Sequence, residues 1–113
     1  MIDARRMEIF GAVYNHSLDY LAPEKAFILD ETLLHGLLNN GPLLCIGSGV
    51  AITKILTQQV DFQNKLPLFL EYTYSIHEMA ALALDKLKAK NFEDLAYSGP
   101  AYLKDYYQKP LIK

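Results

Sequence analysis

Apolar residues fall along this chain in short runs whose spacing changes from one stretch to the next. Between Glu8 and Tyr14, Ile9, Gly11 and Val13 share one face of an extended chain, and Phe10, Ala12 and Tyr14 share the other. A strand that is apolar on both faces is expected to be covered on both, so this stretch predicts a central strand. Met1 to Ala4 predicts a shorter strand before it, and Asp3 to Glu8, with its four charged residues, predicts the turn between them. A polar connection from Asn15 to Pro23 leads to a third expected strand, Lys25 to Leu29.

The spacing then becomes helical. Asp30 is placed as an N-cap, and Leu33, Leu34, Leu37 and Leu38 make one apolar face of a short helix. Asn39-Asn40-Gly41-Pro42 ends it, with glycine available for a left-handed cap and proline unable to continue. Leu43 to Ile46 is wholly apolar and predicts a short strand buried on both faces. Gly47-Ser48-Gly49 then turns the chain into a helix from about Val50 to Gln58. Past Gln59 the pattern weakens, with one short strand expected at Leu68 to Leu70 after Pro67. Ser75-Ile76-His77-Glu78 is a capping box. Ile76, Met79, Ala80, Ala83, Leu84 and Leu87 follow it at helical spacing, which predicts a core-facing stripe.

The resulting order is βββαβαβα. It predicts an α/β lobe of ribonuclease-H-like or actin-like type: a mixed sheet of about five strands, flanked by helices. Length changes the picture only in scale, since 113 residues make a single domain, 1–113, with one core. A strand at the first residues is expected of a chain that continues a longer protein, because free termini fray. The net charge of −2 gives no electrostatic footprint for direct binding of nucleic acid. A single cysteine, Cys45, in an apolar run fits a reducing, cytoplasmic compartment with no disulfide framework. No run of apolar residues approaches the roughly 20 needed to cross a bilayer, so no membrane partner is expected.

Three segments, in order, carry a resemblance. Ile2-Asp3-Ala4-Arg5, with Glu8 and Ile9 leading into a strand, resembles the opening of the second lobe of the TsaB (YeaZ) family. Cys45-Ile46-Gly47-Ser48-Gly49 resembles that lobe's middle strand and glycine turn, and Glu93 to Tyr97 with Pro100-Ala101-Tyr102-Leu103-Lys104-Asp105 resembles its C-terminal signature. The match covers nearly all of this chain but only the family's C-terminal half. The first lobe, with its Gly-Pro-Gly-Ser-Phe-Thr-Gly loop, has no counterpart in these residues, and Gly99 stands where an acidic residue usually precedes the proline. The resemblance implies a non-catalytic, glycoprotease-like subunit that supports TsaD in making threonylcarbamoyladenosine on tRNA. It implies TsaD-like and TsaE-like partners, with the ATP site, metal and transfer chemistry on TsaD rather than here.

Candidate chemistry is sparse. Asp3 could stand where a ribonuclease-H-like nuclease holds metal, but that reaction needs several converging carboxylates. The end of the fourth expected strand carries Gly47-Ser48-Gly49 and no acid. Asp3 and Glu8 are therefore expected to pair with Arg5 or Arg6, or to face a missing lobe. The glycine turn lies between strand and helix, where amides can hold a phosphate. The same residues also suit a tight turn that needs glycine conformations, and this reading is favoured. Asp3, Gly47, Ser48 and Gly49 are thus the weak cofactor-site candidates, and no catalytic residue, metal ligand or cofactor is assigned. A metal-dependent hydrolase and a small nucleotide-binding module are the alternative functions. His16, His35 and His77 lack metal-ligand spacing, and Cys45 is expected to be an inert core thiol. Tyr97, Tyr102, Tyr106 and Tyr107 are expected to pack the tail on its own lobe. A lobe without its neighbour is also expected to self-associate.

Overall fold

In the computed structural model, residues 1–104 are described. Strands β1 (Ile2–Asp3), β2 (Glu8–Tyr14) and β3 (Tyr20–Ile28) lead to α1 (Glu31–Asn39), β4 (Leu44–Ile46), α2 (Val50–Gln59), β5 (Leu68–Leu70) and α3 (Ile76–Lys88). This is the expected order of elements. The single mixed sheet is not found, because the five strands form two sheets. One is antiparallel, in the order β1-β2-β3, and the other is the parallel pair β4-β5. The reason is the shortness of β1, which pairs only Ile2 with Phe10 and Asp3 with Ile9. Its outer edge is too short for a ladder with β4, and Met1 bridges the gap instead. Met1 N donates to the Ile46 carbonyl at 2.6 Å, and the Gly49 N–H donates to the Met1 carbonyl at 3.3 Å.

Strand β3 is longer than its apolar run suggests, reaching back through Pro23 to Tyr20. Proline is tolerated there because β3 is an edge strand and the ladder is irregular at that point, with Gly11 opposite Lys25 but Val13 opposite Ala22. The hairpin loop is tied by Asn15, whose Oδ1 accepts from the N–H groups of Ser17 and Asp19. Between β1 and β2, Arg5, Arg6 and Met7 all have positive φ. No glycine marks this turn, which closes through Ala4 N–H to Glu8 O and Glu8 N–H to Arg5 O.

The described core is one cluster. Ile9, Leu29, Leu34, Leu38, Leu56 and Phe62 form it, with Met1 and Phe27 packed against them. Helix α1 contributes the expected stripe, and its N-cap is as expected, Asp30 Oδ1 accepting from Leu33 N–H at 2.8 Å. Asp30→Ala should cost about 1 kcal/mol, read as a lower urea midpoint with an unchanged slope. A midpoint that did not move would show that this cap contributes nothing.

Three expectations of burial fail. Strand β4 is covered on one face only: Cys45 is buried, whereas Leu44 and Ile46 are exposed. Strand β2 is half-buried, with Ile9 alone fully enclosed. Helix α3 forms where expected and carries its capping box, Ser75 N–H donating to Glu78 Oε2 at 2.6 Å. The Ser75 and Tyr72 hydroxyls also reach Glu78 and hold its carboxyl down to about 2. Yet no residue of α3 is buried by the described residues, and Ile76 and Met79 remain 78 % and 66 % exposed. Helical spacing reports that a helix has an apolar face; it does not say which surface covers that face.

Candidate functional site

Asp3, Gly47, Ser48 and Gly49, distant in sequence, meet at the junction of the two sheets. The Asp3 N–H donates to Ser48 Oγ at 3.0 Å, and Asp3 Oδ1 accepts from the Arg5 N–H at 2.8 Å. Asp3 is therefore held by a neighbouring backbone amide within its own turn. Glu8 meets Lys104, an ion pair that returns the described end of the tail to the sheet.

The two glycines are explained by Met1. Gly47 has a φ of +113°, and a Cβ there would overlap the Met1 carbonyl oxygen. Gly49 has an ordinary φ, but a Cβ would press the Met1 side chain at 3.1 Å and Ile9 at 3.3 Å. The turn thus seats Met1 against the end of β4. The Gly49 amide is spent on Met1 and the Val50 amide on the Gly47 carbonyl. A phosphate would have to compete with these bonds for the same donors.

Beside the junction is a cleft of about 590 Å³ lined by Ile2, Gly47, Ser48, Glu71 and Tyr72 to Tyr74. Glu71, on its lining, pairs with Lys54 of α2 at 3.1 Å. A second groove, about 600 Å³, runs between β2 and the α1–β4 region and is mainly apolar, lined by residues such as Ile9, Val13, Leu37 and Leu43. Sequence reasoning missed this groove. Its only signal was the two-faced apolar pattern of β2, which promised more cover than α1 supplies.

The histidines stay apart. His16 lies exposed in the hairpin loop and His77 in the first turn of α3. His35 is half-buried on α1, where its Nε2 lies 3.3 Å from Glu31 Oε1 and its ring meets the Phe62 ring at a 42° tilt, 4.7 Å between centroids. Cys45 is buried, and that burial pushes its thiol pKa up, as expected of an inert core thiol. No cluster of metal-ligating side chains occurs among the described residues. The tail differs from expectation: Tyr97 and Tyr102 are almost fully exposed rather than packed on the lobe. Tyr106 and Tyr107 lie outside the described residues.

The arrangement so far defines a mixed α/β chain of two small sheets and three helices. No helix of the described residues is long and apolar enough to cross a membrane. Comparison with protein-family models, with curated proteins and with solved structures gives no match to this chain.

Proposed function

We propose that this chain is an interaction lobe without catalytic machinery of its own, equivalent to the second lobe of a TsaB-like subunit that supports TsaD in modifying tRNA. The observation that carries this reading is apolar surface left uncovered. Leu44, Ile46, Leu68 and Leu70 are exposed on one side of the β4–β5 pair, and α3 exposes its whole apolar stripe. Monomeric proteins seldom leave contiguous patches beyond a few hundred Å² uncovered, and larger ones mark interaction surfaces.

The fold supports the same reading in outline. Through Met1 the strands run β3-β2-β1, then β4-β5, which agrees with a ribonuclease-H-like lobe. The motif residues Ile2 to Glu8 and Cys45 to Gly49 lie together at that junction, so two of the three resembling segments form one structural unit. In this reading the glycine turn is a structural joint, and the chemistry belongs to the partner.

The test is reconstitution with a TsaD-like protein. The chain should co-elute with it in size-exclusion chromatography, and Asp3→Ala or Ser48→Ala should leave that complex intact. Failure to co-elute would count against the reading. So would hydrolysis of peptide or RNA by the chain alone that disappears in Asp3→Ala.

A further inference from the structure

Strand β1 joins the two sheets but spans only a corner of the space between them. It pairs with β2 no further than Ile2 opposite Phe10, whereas β2 runs on through Gly11, Ala12 and Val13 to Tyr14. Toward the other sheet, Met1 N donates to the carbonyl of Ile46, the last residue of β4. Strand β5 occupies the far edge of β4. Among the described residues, the later half of β2 and the earlier part of β4 therefore have no strand between them. The apolar groove of about 600 Å³ is this gap. Gly11, Val13 and Tyr14 line it from β2, and Leu43, Leu44 and Cys45 line it from the side of β4, with Met1 also on its wall.

Strand edges make a narrower demand than apolar side chains do, because they carry N–H and C=O groups that need partners. An apolar molecule of the right size would fill the groove and leave both edges unpaired. An extended backbone pairs with two strands at once, at about 4.8 Å from each. The first residues of the chain already show this arrangement, bonded toward β2 and, through Met1, toward β4. Strand β2 stays regular along the gap, since the shifts in its ladder add residues to β3: Gly11 to Val13 is matched by Lys25 to Ala22.

The register follows from Met1. A Cβ on Gly11 would lie 3.9 Å from Met1 Cα, which sets Met1 beside Gly11, and Met1 packs against the core. Side chains alternate along a strand, so a backbone continuing this line turns outward beside Ala12 and inward beside Val13. The inward side is walled by Phe27, Leu33 and Leu37. Only an apolar side chain suits that position.

We infer that the gap is a strand-accepting slot whose occupant is an extended peptide segment of another polypeptide. The segment lies antiparallel to β2, as β1 does, with an apolar side chain beside Val13 and no proline within the slot. Backbone pairing gives the affinity, and the inward pocket gives the selectivity. The slot uses strand edges rather than the exposed β4–β5 face or α3, so it stands or falls separately from the complex proposed above.

The test uses the full chain and a fluorescent probe peptide, Thr-Val-Thr-Val-Thr, capped at both ends. Fluorescence anisotropy should show saturable binding. Hydrogen exchange should slow on binding at residues 11–14 and at residues 43–46 together. Two further probes carry N-methyl groups, one on the threonines and one on the valines, which removes the donors facing one edge or the other. Each should bind about tenfold more weakly or worse, because each forfeits more than one hydrogen bond. No binding overturns the proposal. Undiminished binding of both methylated probes would mean an apolar groove that takes any greasy ligand, and a loss with only one of them would mean addition to a single edge; either result overturns it. So would slow exchange at both segments in the free chain at low concentration, since the chain would then fill the slot itself.

Discussion

Gly47→Ala should be among the most damaging single substitutions in this protein, costing roughly 3 kcal/mol. Two penalties add. The φ of +113° lies where residues with a Cβ are strained, and the new methyl would overlap the Met1 carbonyl oxygen. That carbonyl accepts from Gly49 N–H, and Met1 N donates to Ile46, so displacing it unfastens β1 from β4. Gly41 supplies the control. Its φ is +128°, yet a Cβ there meets nothing within 4 Å. Gly41→Ala therefore suffers the backbone strain alone, about 1–2 kcal/mol. The difference between the two urea midpoints isolates the Met1 contact. Equal losses would mean that Met1 can shift freely and that the junction is not fixed by this turn. A Gly47→Ala protein with wild-type stability that had lost nucleotide binding would instead restore the phosphate reading.

The elements were legible in the sequence wherever local chemistry decides them. Asp30, the Ser75–Glu78 box and the Pro67 boundary act within a turn of themselves, and each marks its element where the structure has it. Assembly was less legible because it depends on residues far apart. Nothing near Gly47 reveals that Met1 will lie against it, 46 positions away. The strand pattern of β2 and β4 promised cover on two faces. It could not say that the second cover would be missing among the described residues, because apolar spacing records a demand for burial and not its supplier. Tyr97 and Tyr102 failed for a related reason. Aromatic content suggested packing, but the tail's described return to the sheet is made by half-buried Lys104, which pairs with Glu8.

Leu34→Ala should produce a loss of comparable size, about 3 kcal/mol within the 2–5 kcal/mol usual for emptying a buried leucine site. Leu34 is 1 % exposed and sits among Ile9, Leu29, Leu38 and Leu56, in the cluster that holds α1 to the antiparallel sheet. The apolar groove between β2 and the α1–β4 region bears on the magnitude. A site next to open space can let water in or let α1 settle, which would lower the cost. A site sealed by Leu29 and Phe62 cannot, and keeps most of its cavity. Leu66→Ala is the matched control, since Leu66 is 59 % exposed and lies outside both the core and the open face of β4–β5. It should change stability by no more than about 0.5 kcal/mol. Urea unfolding of the two variants, at one protein concentration so that self-association weighs on both alike, gives the comparison. If Leu34→Ala were as mild as Leu66→Ala, α1 would not be anchored to the sheet through this cluster. The burial of Ile9, Leu29 and Phe62 would then have to be maintained by α2 alone.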